Sequence, residues 1–241
     1  MKLSILGKYG PYPKSCGNTS GYLLQDETSC VAFEMGSGVF AELSKTVPPQ
    51  NVSAVIVSHL HNDHISDLGV YNYYLESLSK KGLLQRNIPL ILPQVDCATT
   101  EFIKEMKYFQ PVWVKNGCDV KIGDLYFTFF EVKHPVYCLG FACMHEGRKF
   151  VYSGDTDVCE SLKGNLSGAD SALLDGAFLP SQYRVGGPHM SAELCAKLAK
   201  ELNFKAYITH LLPTNEMVDY ESSISGFSCA QIVEEGDFFS V

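Results

Sequence analysis

Basic charge is scarce in this chain: 19 Lys and Arg stand against 27 Asp and Glu, a formal net charge of −8 over 241 residues. That balance disfavours broad attraction to polyanions, so a nucleic-acid substrate would need a local basic patch or a metal ion. Also missing is any apolar run of the length a membrane span requires. The opening "MKLSIL" runs into charges and glycines too early for a secretory h-region. The nine cysteines include no Cys-x-x-Cys pair and no repeated spacing, so they read as reduced, mostly buried thiols. With no leader segment, that pattern predicts a cytoplasmic protein. No charge block, low-complexity tract or Pro/Ser-rich linker divides the chain.

What is present is ample core material, 46% hydrophobic against 19% charged residues, which fits one large domain over 1–241. Strand-like runs recur: "KLSILG", "SGYLLQ", "SCVAFEM", "SAVIVSH", "PLILP", "LYFTFFEV", "SALLDGAF" and "KAYITH". Their β-branched and aromatic content, bounded by Gly, Pro, Asn and Asp, favours strands over helices. Cys138 to Asp155 reads as a hairpin with Glu146 and Gly147 at its turn. Three stretches read as helices. One carries Ile65, Leu68, Tyr71, Leu75 and Leu78. A second, Asp96–Phe109, places Phe102, Met106 and Phe109 on one face. The third, Ser191–Leu202, starts on a serine cap with Leu194, Leu198 and Leu202 together. The pattern predicts a layered α/β arrangement, two sheets between helices, with a break between halves near Lys115–Asp119.

Three of the seven histidines fall within six positions, in "SHLHNDH" at Ser58–His64, directly after an apolar run. In extended chain at a strand exit, His59 and His61 point to one side. Asp63 and His64 follow where the chain turns toward a helix. Imidazole and carboxylate are the donors that borderline divalent metals prefer, and burying this group unpaired would be costly. One loop cannot close two metal shells. Other strand ends offer the remainder: His134 in "FFEVKHP", Asp155 in "VYSGDT" and His210 in "YITHLLP".

In this order, HxHxDH, a later His, a "GDT" Asp and a final "TH" resemble the metallo-β-lactamase superfamily of dinuclear metallohydrolases. "GNTSGYLL", "MGSG", "SHLHNDH", "YSGDT" and "GPHMSAELCAKLAKE" resemble its ribonuclease Z-like branch. The resemblance covers nearly the whole chain and implies a four-layer αββα sandwich with metals at one edge of the sheets. It further implies one ion on His59, His61 and His134, a second on Asp63, His64 and His210, and Asp155 bridging. The metal expected first is zinc, with manganese or iron accepted by the same ligands. Catalytic roles carry over to Asp63, which aligns the attacking hydroxide, and to His189, which protonates the leaving group. Asp175 is expected to orient His189 from the preceding strand, where ribonuclease Z has Glu. The loop "PSQYRVGG" offers Tyr183 and Arg184 as substrate contacts.

Two departures matter. Glu34 stands where the family's "DxG" has Asp, and a longer side chain behind the metal loop can weaken metal affinity or activity by ~10–100-fold. The basic, glycine-rich arm that grips transfer RNA is missing between His134 and Asp155 and just beyond. A small nucleotide-type or cyclic phosphodiester is therefore the expected substrate, cleaved by hydroxide activated on two ions. Nucleic acid is possible but not favoured, no membrane is involved, and a homodimer is possible. The alternatives are transfer-RNA 3′ endonuclease activity, carboxyl ester or lactone hydrolysis on the same metals, and a non-catalytic metal-binding protein.

Overall fold

The computed structural model describes residues 1–241. The first half of the chain forms β1 (Lys2–Gly7), β2 (Gly21–Gln25), β3 (Cys30–Met35), α1 (Val39–Thr46), β4 (Ala54–Ile56), α2 (Asn62–Ile65), α3 (Leu68–Lys80), β5 (Ile88–Pro93), α4 (Ala98–Lys104) and β6 (Phe109–Val114). The second half forms β7 (Asp119–Ile122), β8 (Leu125–Glu131), β9 (Leu139–His145), β10 (Arg148–Tyr152), α5 (Glu160–Leu166) and β11 (Ser171–Asp175). It ends with α6 (Ala192–Leu202), β12 (Lys205–Thr209), α7 (Met217–Ile224), β13 (Ala230–Ile232) and β14 (Phe238–Ser240).

The strands make two mixed sheets, in the orders β14-β1-β2-β3-β4-β5-β6 and β13-β12-β11-β10-β9-β8-β7. The chain crosses from one sheet to the other between Val114 and Asp119, at the break expected from the sequence. An aromatic-rich core, including Tyr22, Phe33, Phe127, Phe141, Phe150 and Tyr152, draws on both sheets and fills the space between them. Two further cores lie on the outer faces. One packs Val39, Leu43, Tyr71 and Leu75 of α1 and α3 on the first sheet, and the other packs α6 and α7 on the second. The result is the αββα sandwich.

The strand readings survive where a strand is buried on both faces. The hairpin turn forms at Glu146 and Gly147, both with positive φ, 50° and 77°, as a two-residue turn requires. The Asp96–Phe109 helix is corrected: only Ala98–Lys104 is helical, Phe102 is 59% exposed, and Phe109 opens β6. Pairing of β6 with β5 from Ile88↔Phe109 onward pulls that end of the segment into the sheet. The expected helix after the histidine loop is interrupted, with one turn at α2 and the main helix starting at Leu68. In α6 the Ser191 hydroxyl caps Leu194 N–H at 3.2 Å, as expected. The buried face, however, is Ala192, Cys195, Ala196, Leu198 and Ala199, while Leu194 and Leu202 lie at its margin. Small residues there let the helix approach β11 and β12 closely.

Candidate metal centre

The expected ligands leave their strands at one edge. His59, His61, Asp63 and His64 follow β4, His134 follows β8, Asp155 follows β10 and His210 follows β12. Their donor atoms converge in two groups. His59, His61 and His134 form one, and Asp63, His64, Asp155 and His210 the other, with all donors in each group within 4.8 Å of one another. A third group of the same kind joins Asp155 and His210 to Asp175 and His189. In the first, His61 Nδ1 lies 2.9 Å from His59 Nε2 and 3.2 Å from His134 Nε2. In the second, Asp155 Oδ2 lies 3.3 Å from His64 Nε2 and 3.2 Å from His210 Nε2. The same oxygen is 3.7 Å from His59 Nε2, so Asp155 faces both groups.

In His134 and His59 the nitrogen turned away from these centres is occupied, which leaves the converging one free to ligate. His134 Nδ1 meets the Pro188 carbonyl at 3.2 Å, and His59 Nδ1 meets Ser58 Oγ at 2.9 Å. Burial lowers the pKa of His59, His61 and His134, favouring the neutral imidazole that binds metal. His64 behaves differently. Burial opposes its charge, yet Asp155 and Glu34 prevail and raise its pKa.

These residues fit metal on two counts. Glu34, Asp63, Asp155 and Asp175 are buried carboxylates whose ion-pair partners are all histidines. Such a concentration of buried negative charge calls for a compensating cation. In addition, His64 Nε2 is fully buried with no hydrogen-bond partner.

The family model described as a beta-lactamase superfamily domain matches residues 31–211, three-quarters of the chain. The protein belongs to the beta-lactamase superfamily. YhfI of Bacillus subtilis, named a probable metallo-hydrolase, is 26% identical over 212 residues, covering 88% of this chain and 87% of YhfI. The crystal structure of YhfI superposes with a TM-score of 0.92 over 99% of this chain and 98% of that one. A ribonuclease Z of Methanosarcina acetivorans is 24% identical over 272 residues, covering 88% of this chain and 87% of the relative.

Glu34 itself sits in a β-bulge. Tyr22 pairs with Phe33 and Gly21 with Met35, leaving Glu34 as the extra residue, at φ 58°. Phe33 thereby faces the core between the sheets and Met35 the helices. The Glu34 carboxylate points at the histidine loop, where Oε1 accepts Ser58 N–H at 3.0 Å and Oε2 lies 3.2 Å from His64 Nδ1. The longer side chain thus still reaches the loop.

His189 and Asp175 meet at the same edge. His189 Nδ1–H donates to Asp175 Oδ2 at 2.7 Å, and that oxygen also accepts Thr156 N–H at 2.9 Å. The ring stacks on His210 at 5.0 Å between centroids and lies 5.4 Å from His134, beside both groups. Burial would favour the neutral ring, but the charge and hydrogen bond of Asp175 hold the pKa up at about 9. Cations bound nearby would pull it back down.

Tyr183 and Arg184 do not join the cluster. The Tyr183 hydroxyl donates to Asp157 Oδ1 at 2.8 Å, and Gly186 N–H donates to Asp157 Oδ2 at 2.7 Å, so their loop is moored on buried Asp157. Arg184 is exposed and donates to the carbonyls of Ser181 and Tyr183 in its own loop.

Two glycines escaped the sequence reading. A Cβ on Gly10 would stand 2.1 Å from His210 Nε2, and one on Gly36 2.1 Å from the Asp63 carbonyl. The Gly/Pro-rich segment Gly7–Gly21 was the available signal for the first, and "MGSG" for the second.

Proposed function

We propose that this protein is a dinuclear metal-dependent phosphodiesterase acting on small nucleotide-type or cyclic phosphodiesters, with zinc the first candidate metal. The observation that carries this reading is the His189–Asp175 pair. It lies beside both ligand groups, is needed to complete neither expected shell, and offers a protonated imidazole as a proton donor. His59, His61 and His134 would hold one ion, and Asp63, His64 and His210 the other, with Asp155 shared. Ions held there would supply a nucleophile at neutral pH and stabilise the charge that develops in the displacement. Asp63 accepts a hydrogen bond that aims the attacking water. With Nδ1–H engaged on Asp175, His189 delivers its Nε2 proton to the departing oxygen.

The relatives named ribonuclease Z support phosphodiester chemistry. Against a transfer-RNA substrate stand the net charge of −8 and the short β9–β10 hairpin, which spans most of the interval from His134 to Asp155. The same proposal takes 1–241 as one hydrolase domain. Its nine free thiols favour a reducing compartment such as the cytoplasm.

The test compares bis(p-nitrophenyl) phosphate with p-nitrophenyl acetate on metal-loaded protein, where the diester should be the better substrate. Equal or preferred acyl hydrolysis would remove the substrate class, and stoichiometric metal without any hydrolysis would support a binding protein. Cleavage of precursor transfer RNA would support the endonuclease alternative. His189→Ala should keep its metal and lose ~10²–10⁴-fold in kcat on a diester with an alkoxide leaving group. The loss should be smaller with p-nitrophenolate, which departs without a proton. Loss of metal from His189→Ala would make His189 a ligand instead.

A further inference from the structure

A narrow apolar cleft of about 220 Å³ opens beside the three-histidine group, walled chiefly by Leu60, His61, Val95, Cys97, Val136 and Tyr137. Three separate segments build it. Leu60 and His61 come from the histidine loop, and Val95 and Cys97 from the chain leaving β5. Val136 and Tyr137 follow His134 by two and three residues. The cleft thus shares His61 with the candidate shell, and its far wall is continuous with a second member of that shell. Val95 and Val136 belong to none of the three cores, and Val136 is 40% exposed. No Lys, Arg, Asp or Glu lines it. The Tyr137 hydroxyl already accepts Asn116 N–H at 3.0 Å. The cleft therefore offers mainly methyl groups and a ring, with Thr99, Cys97 and His61 as its polar members and no carboxylate or ammonium.

We propose that this cleft is a substrate subsite for the group a phosphodiester carries beside the scissile bond, and that it takes one uncharged planar ring, a nucleobase or aryl group. The assignment rests on the phosphodiesterase reading of the adjoining centre. Size supports a single ring system: a cavity of ~150 Å³ holds a benzene, whereas whole-ligand pockets run to roughly 300–1,000 Å³. A charged substituent would lose water and find no partner. A planar ring instead gains apolar contact with Leu60, Val95 and Val136 and an aromatic neighbour in Tyr137. Ring-bearing diesters are therefore selected over alkyl diesters at the same scissile bond.

Two matched pairs of compounds test this on the metal-loaded protein. Phenylphosphonate and methylphosphonate, which do not react, are titrated calorimetrically. Phenyl p-nitrophenyl phosphate and methyl p-nitrophenyl phosphate, which share a leaving group, are compared by kcat/KM. Burial of ~60 Å² of ring gives an expected phenyl preference of about tenfold in both pairs. Val136→Trp, filling the cleft from its open wall, should bring both ratios toward one, and Val95→Trp serves if that variant folds poorly. Because each ratio is taken within one protein, partial loss of metal cancels. Equal affinity for the two phosphonates, or a phenyl preference untouched by filling, overturns the subsite. A phenyl preference in binding with neither diester hydrolysed keeps the subsite and removes the phosphodiesterase reading. Hydrolysis of both diesters with equal efficiency keeps the activity and removes the subsite.

Discussion

Gly10→Ala is a one-carbon change far from the ligands in sequence that should damage the metal centre. The added Cβ would lie 2.1 Å from His210 Nε2 and 2.2 Å from Cε1, where ordinary contact begins near 3.4 Å. The two groups must part by about 1.3 Å, the difference between 3.4 and 2.1. The backbone has little freedom to yield. Gly10 N–H donates to the Leu211 carbonyl at 3.1 Å, and Leu211 N–H donates to Lys8 at 2.8 Å, tying the loop to the residue after His210. The imidazole therefore gives way. His210 itself sits at φ 58°, a region that non-glycine residues seldom adopt, so its backbone is already committed. Metal sites tolerate ligand displacements of only ~0.2–0.5 Å. Disturbing a ligand's support typically costs ~10–100-fold in metal affinity, or ~1.4–2.7 kcal/mol. Chelator competition and metal analysis after desalting should show Gly10→Ala losing affinity in the direction of His210→Ala, while the metal-free proteins unfold at similar temperatures. Wild-type metal affinity in Gly10→Ala would refute the close approach as a constraint on His210.

Glu34→Asp, which installs the family's usual residue, should lower metal affinity about tenfold. The bulge sets the carboxylate one methylene too far back to hold Ser58 N–H, now at 3.0 Å, and metal titration reads the loss. Chelation should lower the melting temperature, because a cation held among the buried carboxylates stabilises the folded state alone. At 100-fold saturation the shift should be about 5–10 °C, read by calorimetry with and without metal. Hydrogen bonding from Thr100 lowers the pKa of the exposed Cys97 thiol. Its thiolate accumulates at lower pH, so iodoacetamide labelling of Cys97, followed by peptide mass spectrometry, should reach half its maximal rate at a lower pH than labelling of the same thiol in Thr100→Val.

The interior strands were legible because burial on both faces writes a continuous apolar run, as in "PLILP" and "SALLD". The four that went unread, β6, β7, β13 and β14, are the four sheet edges. Edge strands are short or polar, and β6 carries Pro111, which is tolerated at an edge and reads as a breaker in sequence. The convergence of the candidate ligands was legible for another reason. Donors sit at strand exits, and the alternating histidines of "SHLHNDH" declare their common direction locally. Tyr183 and Arg184 were suggested by loop composition alone, and only the folded chain revealed Asp157 as the anchor of that loop.

Local chemistry thus determined the interior strands, the histidine loop and the residue types at each strand end, since these depend on periodicity and donor identity within a few residues. Tertiary structure alone decided the bulge that aims Glu34, the close approach of Gly10 to His210 and the apolar cleft beside His61. Each of these is a distance between segments remote in sequence. Such distances are set by how two sheets pack, and packing leaves no periodic trace in the chain.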